Sequence, residues 1–187
     1  MSKQYWEELL NWATASGAAI ASSTTETILF PNITIPANYM QDGRTLHLVV
    51  VGQHSTLGSG TVSLVFQVRW NGVAGTLICK TGTITTLISL TAALFIFECW
   101  LQTRSNGSSG TVMGNGYAMV FGATAPTIGS ATGAPAIAPM TNGGQITPAV
   151  ATLDLTADIP LSVTLTHGAN SASNTATGLQ YTVESWN

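Results

Sequence analysis

Residues 62–70 read VSLVFQVRW, and this stretch decides the fold. Val62, Leu64, Phe66, Val68 and Trp70 alternate with Ser63, Val65, Gln67 and Arg69, the period of two that a half-buried β-strand requires. A slip of one residue would turn the whole apolar set toward water, so the register is strongly specified. Asn71-Gly72 follows directly. Both residues tolerate positive φ, which makes the pair a hairpin signal leading into a second strand at 75–80.

Outward from this hairpin the same period recurs. Leu46, Leu48 and Val50 alternate with His47, Val49 and Val51, and Phe95, Phe97, Cys99 and Leu101 with Ile96, Glu98, Trp100 and Gln102. Leu161, Val163 and Leu165 form one late strand, Leu179, Tyr181 and Val183 another. Segments 27–35, 83–90, 111–121 and 151–156 are further candidates, which brings the total to about ten. Asn106-Gly107 and Asn115-Gly116 are weaker turn signals. Many short strands with almost no internal helix predict an all-β chain, a jelly-roll-like antiparallel β-sandwich over 26–187.

Two regions depart from this pattern. Tyr5, Trp6, Leu9, Leu10 and Ala13 gather on one face at helical spacing with Glu7, Glu8 and Asn11 opposite, which predicts a short amphipathic helix within 1–13. Residues 14–25, small and polar, read as a flexible arm, so 1–25 stands apart from the sandwich domain. A lone helix of about ten residues is marginal in water and needs something to pack on. That can be another protein or its own body. The second region, 122–150, holds four of the seven prolines, five glycines and no charge. Uncharged loops of this length are uncommon in solvent, and it reads as an arm packed on neighbouring subunits.

Composition narrows the function. Only 13 of 187 residues are charged, five basic and eight acidic, against 44 serines and threonines. So few charges leave much surface to be covered by partners. Lys3, Arg44, Arg69, Lys80 and Arg104 are scattered, whereas a duplex binder clusters its basic residues, so no nucleic acid is expected. The most apolar stretch, Ile84–Phe97, is too short for a spanning helix, and no membrane association or secretory signal is expected.

Catalytic patterns are missing. His47, His54 and His167 are scattered and carry no HExxH-like spacing, so no metal or other cofactor is expected and the histidines read as surface or interface residues. No GxSxG or SxxK nucleophile context occurs, and an enzyme is not expected. Glu98 and Arg104 fall opposite Phe95 and Phe97 in parity and keep that face wet or paired. Cys79 and Cys99 fit two separate buried thiols, with a single bridge as the alternative.

Three segments carry a resemblance: 29–56, then 62–78 with 101–120, and 161–186. Their marks are Pro31, Ile35, Pro36 and Tyr39 at the entry, Arg104, Gly107, Ser109, Gly110, Thr111 and Val112 at a turn, and Ser173, Asn174, Thr175 and Thr177 near the end. In this order the chain resembles small virion structural proteins of tailed bacteriophages, of the jelly-roll capsid decoration or cement type. The resemblance implies a trimeric β-sandwich displayed on a virion that is assembled in the host cytoplasm. It also implies a major capsid protein, or another virion protein, as partner. The expected docking residues are Tyr5, Trp6, Leu9, Leu10 and Trp12, which lie outside the resembling segments. The alternative is a head-fibre or tail/baseplate module that binds host glycans, with Trp100, Tyr117 and Trp186 as candidate aromatics.

Overall fold

The computed structural model describes residues 6–60, 62–125, 136–142 and 150–186. Within them the chain forms fifteen strands: β1 (Glu7–Trp12), β2 (Ile20–Ala21), β3 (Thr27–Ile28), β4 (Ile33–Ile35), β5 (Thr45–Ser55), β6 (Val62–Trp70), β7 (Thr76–Thr81), β8 (Ile84–Thr86), β9 (Ala93–Ser105), β10 (Gly110–Val120), β11 (Ala123–Ala125), β12 (Ala136–Thr141), β13 (Val150–Leu153), β14 (Ile159–His167) and β15 (Thr175–Trp186). No helix occurs among the described residues.

All the pairings are antiparallel, and the main path through the sheet runs β1-β15-β5-β9-β10-β12-β7-β6-β14-β3. Four of the pairings are nested in sequence: β1 with β15, β4 with β14, β5 with β9, and β6 with β7. Neighbouring strands lie about 4.8 Å apart, so β9 and β6, four steps apart on the path, would be about 19 Å apart in a flat sheet. Instead the Phe66 ring on β6 lies 4.9 Å from Phe95 and 5.7 Å from Phe97 on β9. The sheet therefore folds over on itself into two facing layers, compatible with a β-sandwich. Val62, Leu64, Phe66, Val68 and Trp70 are all buried between them, as the alternation in 62–70 requires.

The N-terminus differs from the expected helix. Glu7–Trp12 is a strand on the edge of β15, with register Glu7↔Trp186 through Trp12↔Thr182 and a bulge between Leu9 and Asn11. A short helix gains little alone, whereas an open β15 edge offers a ladder of backbone hydrogen bonds, and the aromatic residues suit a strand. The segment after it also lies along β15: Gly17 N–H donates to the Gly178 carbonyl, and β2 pairs with Thr175 and Ala176.

Two other local readings change. Asn115 and Gly116 lie inside β10, with no turn. Glycine is needed there because a Cβ at Gly116 would sit 2.1 Å from the Glu98 carbonyl oxygen of the adjacent strand. Segment 122–150 supplies strands to this chain's own sheet, since β12 pairs with β10 and reaches β7 at Met140↔Thr81. Ala136, Ala138 and Met140 are buried in the core. The rest of that segment, 126–135 and 143–149, lies outside the described residues. The 71–75 turn keeps its expected chemistry, with φ of 74° at Asn71 and 78° at Gly72.

Candidate functional site

Of the expected docking residues, Leu9, Leu10 and Trp12 sit on β1, the outermost strand of the sheet, and Trp6 immediately precedes it. Trp6, Leu9 and Trp12 are 45%, 50% and 53% exposed, while Leu10 packs against the core. Tyr5 lies outside the described residues. Two side-chain contacts hold β1 to the body. The Tyr39 hydroxyl donates to Glu8 at 2.8 Å, and the Tyr181 hydroxyl donates to Asn11 Oδ1 at 3.0 Å. Burial, reinforced by the Glu8 carboxylate, pushes the Tyr39 hydroxyl above its usual range, and the Arg44 guanidinium covers the Tyr39 ring at 4.3 Å. An edge strand with unpaired backbone and large exposed apolar side chains is a template for another chain.

Where β1 ends, the chain turns and leaves an open groove of about 270 Å³. It is lined by Trp12, by the rim residues 13–18 and by a wall of Phe30, Pro31 and Tyr181. Phe30 and Tyr181 meet edge to face at 4.8 Å, which fixes that wall. No charged residue lines the groove.

A second cluster occupies the outer face of β15, β5, β9 and β10. Register places Glu184, His47, Trp100 and Asn115 in one row across these four strands, with Glu98 beside Tyr117 in the next. His47 Nε2 lies 2.6 Å from Glu98 Oε1, and Nδ1 lies 3.2 Å from Glu184 Oε2. The Tyr117 hydroxyl donates to the other oxygen of Glu98, and this carboxylate holds the Tyr117 hydroxyl above its usual range. Trp100 stacks on His47 at 5.3 Å and 11°, and Trp186 tilts against the same ring at 4.6 Å. The structure thus brings together Trp100, Tyr117 and Trp186, the three aromatics considered for glycans, but turns two of them onto His47. The polar members were visible in sequence only as outward parity; without strand order nothing paired position 47 with 98 and 184.

The other two histidines differ from the surface reading. His54 and His167 are buried on the inward parity of their strands. Burial pushes His54 below its ordinary value, against a hydrogen-bond contact with the Phe121 carbonyl at 3.0 Å. Burial, then the neighbouring His54, pushes His167 down. Cys79 and Cys99 are buried free thiols, and they are neighbours across the core. Contact with the Cys79 thiol, together with burial, holds Cys99 well above the usual thiol range.

Among the described residues no group of three or more His, Cys, Asp or Glu side chains is placed to hold a metal ion, and no helix is long and apolar enough to cross a membrane. No family model matches the chain, and no curated protein matches it. Among solved structures, it is similar to the CBM2 module of the evolved Dit of Lactobacillus casei BL23 phage J-1, at 7% identity and a TM-score of 0.33. That match covers 82% of this chain and 67% of the other. At such a score the similarity decides nothing about what this chain does.

Proposed function

We propose that the chain is a structural, non-enzymatic component of a bacteriophage virion, a capsid cement or decoration protein that docks on the major capsid protein and stabilises the head shell. The sequence resemblance supplies the context. Nested pairing of first strand with last, and so on inward, is the order a jelly roll produces, and supports reading the two layers as that fold. The observation that carries the docking role is the exposure of Leu9 and Trp12 on an edge strand and of Trp6 just before it. Strand addition to a free edge is a common recognition mode, and tryptophan is the residue type most enriched in binding hot spots. The working assembly is a homotrimer.

The test is decoration of capsids by Trp6→Ser and Leu9→Ser variants, chosen because both side chains are about half exposed and lie outside the buried core. Decoration should fall while the melting temperature holds. Normal decoration by the double variant ends the edge-docking role. Light scattering decides the trimer, and a monomer at micromolar concentration removes it.

A further inference from the structure

We infer that the groove beside Trp12 is a binding site for one ring of a neutral saccharide. This goes beyond docking on a virion partner, because it gives the same end of the molecule a small ligand with its own assay.

The first argument is the aromatic wall. A pyranose presents a patch of C–H groups that packs on an indole face, and a ligand site needs such an apolar surface beside a few polar groups. Trp100 and Trp186 are turned onto His47, whereas Trp12 is more than half exposed and lines the groove. The second argument is the rim. Thr14 and Ser16 are exposed, and their hydroxyls bond to no other described residue, so each can donate to or accept from a sugar hydroxyl. Among the rim residues, the backbone N–H of Gly17 is committed to Gly178, while those of Thr14, Ala15 and Ser16 have no backbone partner among the described residues.

Charge and size then select the ligand. No acidic or basic side chain lines the groove, so nothing there would hold the carboxylate of a uronic or sialic acid. The volume of about 270 Å³ falls just below the range of drug-sized sites. It suits a single ring, and the open side lets the rest of a glycan run out into solvent. An apolar side chain from a protein would offer the rim hydroxyls no hydrogen-bond partner, whereas a sugar ring offers several, which favours the sugar as occupant.

The test uses the full chain and ligand-observed saturation-transfer NMR with glucose, galactose and N-acetylglucosamine, glucuronate as the charged control, and indole as the apolar one. The expected result is saturable millimolar binding of at least one neutral sugar, with glucuronate weaker. Trp12→Ala should weaken it several-fold, up to about tenfold, the loss of a stacking contact. Thr14→Val with Ser16→Ala should weaken it several-fold. Both replaced side chains are exposed, so this second variant keeps the test valid if Trp12→Ala disturbs the edge strand. Absence of saturation by every neutral sugar overturns the site. So does binding that persists unchanged in both variants, or indole binding without sugar binding, which would assign the groove to a protein side chain.

Discussion

The Phe66 ring on β6 and the Phe95 ring on β9 meet at 4.9 Å, although four strand-to-strand steps separate them along the sheet. This contact joins the two layers, and both side chains are fully buried. Phe66→Ala should therefore cost about 3–5 kcal/mol in urea unfolding, combining lost transfer energy with the cavity left behind. A cost below about 0.5 kcal/mol, the range of surface changes, would mean that the layers do not meet there.

Glu26, just before β3, accepts a side-on pair of hydrogen bonds from Nε and Nη2 of Arg69 on β6, at 2.6 and 2.9 Å, and a third from the Thr164 hydroxyl on β14. Both partners are mostly buried, with side chains 15% and 20% exposed. Glu26→Gln should cost about 1–3 kcal/mol, because it strips the charge from a bidentate pair while leaving Arg69 in place. Denaturation curves of the variant and wild type that coincide would make this pair an exposed one in energetic terms.

His54 and His167 carry a pH dependence whose sign is fixed by their burial. Both are held below the ordinary value in the folded chain, while the unfolded chain titrates near 6.5. Below about pH 6.5 the unfolded state therefore takes up protons that the folded state refuses. Their contribution is present above that pH and lost as pH falls through the lowered folded values. The urea midpoint should drop on acidification from about pH 7.5 to about pH 5, and less so in a His54→Gln, His167→Gln double variant. An equal drop in that variant would assign the effect to other groups.

Cys79 and Cys99 are both buried, which keeps alkylating agents from either sulfur, and the Cys99 thiol is in addition held well above its usual range by contact with Cys79 and by burial. Iodoacetamide should leave both unmodified in the native protein and label both in denaturant, read by intact mass. Rapid labelling of the native chain would place at least one of them at the surface.

Much of the strand content was written in the sequence, because a half-buried strand records its two faces residue by residue. The alternation in 62–70 fixed which side of β6 faces the core, and 46–51 and 95–102 did the same for β5 and β9. The sandwich-like layering also follows from so many short strands without internal helix. Where two secondary structures fit the same residues, local pattern was not enough. Trp6, Leu9 and Leu10 satisfy helical spacing as well as an edge strand, and the choice was made by the free edge of β15, which lies more than 160 residues away in the chain. Gly116 looked like a turn for the same kind of reason: a glycine demanded by the close passage of β9 is written with the same letter as one demanded by positive φ.

The sites were less legible than the fold. The sequence determined which side chains are available: a few aromatics, three histidines and very few charges. It also determined the parity that points His47, Glu98 and Glu184 outward, whereas His54 and His167, expected at the surface, are buried at the ends of their strands. Only the tertiary structure decided who meets whom. Strand order sets β5 between β15 and β9, and that adjacency puts His47 between two carboxylates and turns Trp100 and Trp186 onto its ring. It left Trp12 more than half exposed, lining a groove with Phe30 and Tyr181. The physical reason is that parity is a local property of the backbone pleat, whereas adjacency depends on which strands pair, a choice made by the packing of the whole chain.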